Sequence, residues 1–162
     1  MGIGVSTGDV VVGSIGSPRR MEYTAIGDSV NLSARLEGLT KHYGVKILLS
    51  AQTVEDLKEP MPVREIDLIR VKGQEKSVSV YESLGHHTND SFPNMATCIE
   101  HYSQGLAHYQ SRDWVASKQA FEAALNCNPG DGPSKIYLAR CEHFCEQPPA
   151  NNWDGVWTMT HK

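Results

Sequence analysis

The sequence predicts an α+β chain: a mostly antiparallel sheet with helices over residues 1–84, followed by a segment built only of helices. Three observations carry that prediction. Short β-branched runs punctuated by glycine fill the first half. One longer stretch among them repeats its apolar residues at helical spacing from Val30 to Tyr43. Beyond Met95 the helical period takes over, after a polar, turn-rich interval at residues 85–94 that reads as a linker. The resulting division is residues 1–84, the linker, helices over 95–146, and a tryptophan-containing tail over 147–162.

Taken in order, residues 3–7 and 10–14 are β-rich runs on either side of Gly8-Asp9, a hairpin signal. Gly16-Ser17-Pro18 then breaks the second run and opens a loop carrying Arg19 and Arg20. No Lys-Ser or Lys-Thr pair follows these glycines, so a P-loop is not supported. Residues 21–25 form a short strand that turns at Gly27 into a helix, which Asp28 or Ser29 can cap. Val30, Leu32, Leu36, Leu39 and Tyr43 anchor that helix, and Gly44 is its C-terminal cap. Asn31 and Arg35 sit four residues apart and so project from one helical face, a turn apart. Spacing alone leaves two readings of this pair. It is either a solvated polar face, with Arg35 paired to Glu37 or Asp28, or a cradle for a sugar and a phosphate. Residues 45–50 then read as a buried strand and 51–57 as a short helix before Pro60 and Pro62. Residues 63–71 and 77–83 read as two antiparallel strands joined around Lys72-Gly73-Gln74.

In the second half, Gly105, Trp114, Phe121, Ala124 and Pro129 fall at spacings that resemble a tetratricopeptide repeat; His101, Gln104 and Ser117 depart from its usual residues. Residues 134–145 read as the first helix of a following repeat or as a capping helix. One repeat cannot bury its own apolar face, so this segment is expected to pack on the first half, on a part outside this chain, or on another chain. Cys141 and Cys145 lie one turn apart and read as buried small side chains, since helical geometry keeps them and His143 from converging on zinc. His86-His87 lacks the further ligands a metal site needs. Trp153 and Trp157, after a proline stop, are expected to dock on a core.

The 162 residues suffice for one ordinary domain or two small ones. A formal charge of −4 argues against nucleic acid or anionic lipid as the main partner. No apolar run approaches membrane-spanning length, and the first residues lack a basic-then-apolar signal pattern. The four cysteines, all in the second half, show no paired framework and point to reduced thiols in a cytoplasmic setting.

Residues 13–37, running from Gly-Ser-Ile-Gly-Ser-Pro-Arg-Arg through Met-Glu-Tyr-Thr-Ala-Ile-Gly-Asp-Ser-Val-Asn-Leu-Ser-Ala-Arg-Leu-Glu, closely resemble the class III nucleotide cyclases. Residues 2–13 fit the strand pair that precedes this run in the family, and Val71-Lys72-Gly73 followed by Val-Ser-Val-Tyr-Glu at 78–82 resembles the end of the domain. The resemblance covers about residues 2 to 84 and implies a ferredoxin-like cyclase domain that converts a nucleoside triphosphate to a 3′,5′-cyclic monophosphate and pyrophosphate. It implies that Arg35 stabilises charge at the α-phosphate, that Asn31 orients the ribose and that Lys72 holds the terminal phosphates. Thr24 stands at the position that helps choose the base. Threonine there resembles one adenylate-cyclase subgroup, which makes ATP the expected substrate. Magnesium or manganese ions are expected in the complete enzyme, but nothing in this chain matches the family's two metal-binding aspartates, and neither Asp9 nor Asp28 lies in their motifs. The chain therefore reads as the C-terminal half of a cyclase domain with a helical extension like that of some bacterial adenylate cyclases. Its expected partners are ATP and either a cyclase dimer partner or a missing N-terminal half, since the family builds its sites between subunits. Alone it is expected to be inactive. The alternative is an inactive regulatory module that recruits a protein partner through its helices.

Overall fold

The computed structural model describes residues 1–17, 20–70 and 77–157. Helix α1 (Asp28–Tyr43) lies across a four-stranded sheet of order β1-β4-β6-β5. Its strands are β1 (Ile3–Val5), β4 (Ile47–Ser50), β5 (Val63–Arg70) and β6 (Ser77–Ser83). Strand β1 runs parallel to β4, because α1 forms the crossover between them; β4–β6 and β5–β6 are antiparallel. The helical spacing read from the sequence is the face that packs: Leu36, Leu39 and Tyr43 are buried with Leu48, Ile66, Ile69 and Val80. Gly44 ends α1 with φ of 69°, the left-handed cap expected of it. The short helix α2 (Ala51–Glu55) is capped by the Ser50 side chain, which accepts from the Thr53 amide.

Three local expectations are corrected. Gly8-Asp9 does not close a hairpin between the first two strands. Strand β2 (Val11–Ser17) pairs instead with β3 (Arg20–Ile26), as a separate two-stranded sheet. Strand β1 is drawn the other way by α1: a Cβ at Gly4 would lie 2.2 Å from the Ser33 carbonyl oxygen, an approach that only glycine permits. Secondly, Gly16 does not end β2. At φ of 148° it carries the ladder on to the Ser17–Arg20 pair. Arg19 lies outside the described residues. Thirdly, neither Asp28 nor Ser29 caps α1. The N-cap is Gly27, with no side-chain cap hydrogen bond, and a Cβ there would come within 2.8 Å of the Asp9 carbonyl oxygen.

The second half consists of α3 (Met95–Gln110), α4 (Trp114–Cys127) and α5 (Gly132–Glu146). Helices α3 and α4 meet where Gly105 admits the Phe121 ring, and the buried Ser117 hydroxyl donates to the Gly105 carbonyl at 2.8 Å. Tyr102, Tyr109, Phe121, Tyr137 and Phe144 form an aromatic core, onto which Trp114, Trp153 and Trp157 pack, as expected of the tail tryptophans. Cys141 is buried, but Cys145 is exposed, one turn further along and off the buried face.

This helical layer seals against the first half through buried polar groups. Strand β5 has a register irregularity between Glu65 and Asp67, and the Ile66 carbonyl accepts from the hydroxyls of Tyr137 (2.9 Å) and Tyr102 (3.3 Å). On one side of it, Arg64 bonds Glu82 at 2.6 Å and grips Asp131, the N-cap of α5, through two nitrogens at 2.7 and 3.1 Å. On the other, Asp67 receives bonds from Tyr43 of α1 (2.5 Å) and Arg140 of α5 (2.6 Å). Breaking such a buried pair by removing one partner costs about 3–5 kcal/mol, because the other charge is left unpaired. Residues 85–94 connect the two layers and set Phe92 into the core beneath Arg64, whose guanidinium lies 5.3 Å from the ring centre. No helix among the described residues is long and apolar enough to cross a membrane.

Candidate functional site

Thr24, Asn31 and Arg35 lie on one continuous unit in which β3 passes through Gly27 directly into α1. Thr24 is exposed on β3, opposite Gly13 of β2. Asn31 and Arg35 occupy successive turns at the start of α1, and both are exposed. The helix begins tightly: the Asn31 amide bonds the Gly27 carbonyl at 3.2 Å, and the Ser29 hydroxyl reaches the Asp9 carbonyl at 3.4 Å. Among the described residues Arg35 makes no ion pair, so the pairing with Glu37 or Asp28 that its spacing allowed is not formed. A guanidinium held on a helix and left open to solvent is suited to a phosphate; an amide one turn before it is suited to a hydroxyl. Lys72 lies outside the described residues.

A broad open cleft of about 960 Å³ lies beside this unit, between the end of β1, the first turn of α1, α2 and the start of β6. Among the described residues its charged lining is Asp9, Asp28, Glu55 and Asp56, and Thr24, Asn31 and Arg35 are not part of it. The described residues gather no group of three or more His, Cys, Asp or Glu side chains able to hold a metal ion. They therefore do not fit a magnesium or manganese site by themselves.

The buried charges went unrecognised in the sequence. Arg64 and Asp67 stand in a strand of otherwise alternating character, and charges at such positions were the available signal. Burial raises the Tyr43 hydroxyl well above its ordinary pKa, and the adjacent Asp67 adds to the rise. For Arg140 burial works against the charge, but Asp67 outweighs it and holds the guanidinium protonated.

The family described as "Adenylate and Guanylate cyclase catalytic domain" matches residues 1–83. "Adenylate cyclase, terminal-differentiation specific" of Dictyostelium discoideum is 32% identical over 143 residues, 86% of this chain and 7% of that protein. Coverage that long necessarily reaches into the helices beyond Met95. "Adenylate cyclase" of Anabaena cylindrica is 44% identical over 85 residues, 51% of this chain and 17% of that protein. Among solved structures, a bacterial light-regulated adenylyl cyclase aligns with 30% identity and a TM-score of 0.46, covering 54% of this chain and 24% of that one. The chain thus spans less than a fifth of the length of either curated relative.

Proposed function

Since the chain belongs to the adenylate and guanylate cyclase catalytic domain family, we propose that it supplies the phosphate- and base-recognition half of an adenylate cyclase site, forming 3′,5′-cyclic AMP and pyrophosphate from ATP. The observation that carries this reading is the Asn31–Arg35 pair, exposed on successive turns of α1 with the guanidinium unpaired among the described residues.

In the reaction the ribose 3′-oxygen attacks the α-phosphorus in line and pyrophosphate leaves. Arg35 meets the α-phosphate oxygens, where its fixed charge is felt most as negative charge develops. Asn31, one turn earlier, holds the ribose through its amide. The Thr24 hydroxyl faces the base edge and favours adenine; Lys72 takes the terminal phosphates. Magnesium or manganese, which the family generally uses, adds positive charge at the phosphates when bound. The carboxylates that hold these ions come from outside this chain, by way of a dimer partner or a preceding segment. ATP as substrate implies a cytoplasmic setting. The helices α3 and α4 are a tetratricopeptide-like pair in this reading. A purely protein-recruiting role for them is less favoured, because their aromatic face is already covered by β5 and α5.

Complementation tests the reading. A cyclase domain that keeps its metal aspartates but has lost its own Asn/Arg pair is mixed with this chain, ATP and manganese. Cyclic AMP should form in the mixture and in neither component alone. Arg35→Ala should lower kcat at least 100-fold while changing KM for ATP little, as for a group that acts in the transition state. Cyclic AMP from the chain alone, or a mixture indifferent to Arg35→Ala, overturns the proposal.

A further inference from the structure

Resting on that reading, we propose that Asp67 and Arg140 are positioning residues: they clamp the end of α1, the helix carrying Asn31 and Arg35, between β5 and the C-terminal helix α5, so that the helical extension sets where Arg35 stands. Asp67 is the shared point. One of its oxygens accepts from Tyr43, in the last turn of α1, and from Arg140 of α5; its other oxygen accepts from Tyr137 at 3.3 Å. All four side chains are buried. Arg140 is further enclosed by the rings of Tyr137 and Trp157, at 4.9 and 5.2 Å.

A second contact acts on the same turn and involves no charge. Gly132, the first residue of α5, lies so close to α1 that a Cβ there would fall 2.0 Å from the Tyr43 carbonyl oxygen and 3.4 Å from the Gly44 Cα. Ile136, one turn along α5, packs against the core beneath α1. The extension therefore abuts the end of the very helix whose second turn bears Arg35. A helix moves nearly as a rigid rod, so a displacement at Tyr43 is carried to Arg35, eight residues earlier.

The test uses the complementation mixture with Gly132→Ala, Arg140→Met and Arg140→Lys, each with and without Arg35→Ala. Trp114→Leu, in the aromatic core away from the clamp, serves as a control for general destabilisation. In folded protein, Gly132→Ala and Arg140→Met should lower kcat about 10- to 100-fold, the scale for misplacing a catalytic group by about an ångström, with KM for ATP nearly unchanged. Arg140→Lys should recover part of the loss. With Arg35 already removed, each clamp substitution should cost clearly less than it does with Arg35 present, the remainder arising from Asn31 on the same helix. In parallel, hydrogen exchange on the chain alone should show lost protection in the last turns of α1 for both clamp variants but not for Trp114→Leu. Losses that multiply with that of Arg35→Ala, or unchanged exchange at α1, overturn the clamp. If one clamp variant does not fold, the other carries the test. A mixture in which Arg35→Ala has no effect instead overturns the cyclase reading itself, and the exchange result then still reports whether α5 holds α1.

Discussion

Burial among the C-terminal helices pushes the Cys98 thiol up to about 12 and the Cys141 thiol up to about 11, while Cys145, one turn beyond Cys141, is exposed. Thiolate is the reactive form, so alkylation of the native protein at pH 8 should modify Cys145 first and reach Cys98 and Cys141 only on unfolding. Peptide mass mapping over time would decide it, and early labelling of Cys98 would contradict this burial. Thr24 raises a different single-residue question. A lone hydroxyl discriminates weakly between adenine and guanine, because it can donate or accept. Thr24→Ala in the complemented cyclase should therefore reduce the preference for ATP over GTP by about 1–3 kcal/mol without abolishing cyclisation. Competition between the two nucleotides measures that ratio; an unchanged ratio removes the base-selecting role.

The contact between α3 and α4 depends on a missing side chain. A Cβ at Gly105 would lie 2.9 Å from carbon atoms of the buried Phe121 ring, which is itself stacked on Tyr137 5.1 Å away. The ring has no room to yield, so Gly105→Ala should destabilise the protein by about 1–3 kcal/mol, as overpacking does, despite alanine's better helix propensity. Urea midpoints of the two proteins would show it. A stabilised variant would mean that the helices separate easily. The β2–β3 hairpin presents the opposite case. Val11 and Tyr23 are 74% and 77% exposed, so this element is held by its own ladder rather than by a core.

Among the described residues, five tyrosines (Tyr43, Tyr81, Tyr102, Tyr109 and Tyr137) and two cysteines share one property: burial raises their pKa values. In the unfolded chain these groups ionise near their ordinary values, about 8.5 for a thiol and 10 for a phenol. Above those values the unfolded state has released protons that the folded state still holds, so stability falls as pH rises. The contribution is intact below about pH 8.5 and is lost progressively toward pH 12. Chemical denaturation at pH 8, 9.5 and 11 should give steadily lower midpoints. A flat series would mean that these groups are not buried in solution.

Local pattern determined much of this protein from sequence alone. The apolar spacing of Leu36, Leu39 and Tyr43, the cap at Gly44, and the alternation that made β5 and β6 neighbours are all set by residues close in the chain. The run from Thr24 to Arg35 was legible for the same reason, since one strand, one turn and one helix carry it. The pairing of β1 with β4 rather than β2 was not, because it depends on α1 crossing over and pressing on Gly4. Nor could spacing show what neutralises Arg64 and Asp67. Their partners Asp131 and Arg140 stand 67 and 73 residues later, and only the docking of α5 brings them within hydrogen-bonding distance. A charge in a strand has many possible neighbours along a chain; burial in a particular place leaves it one set, and that choice belongs to the tertiary structure.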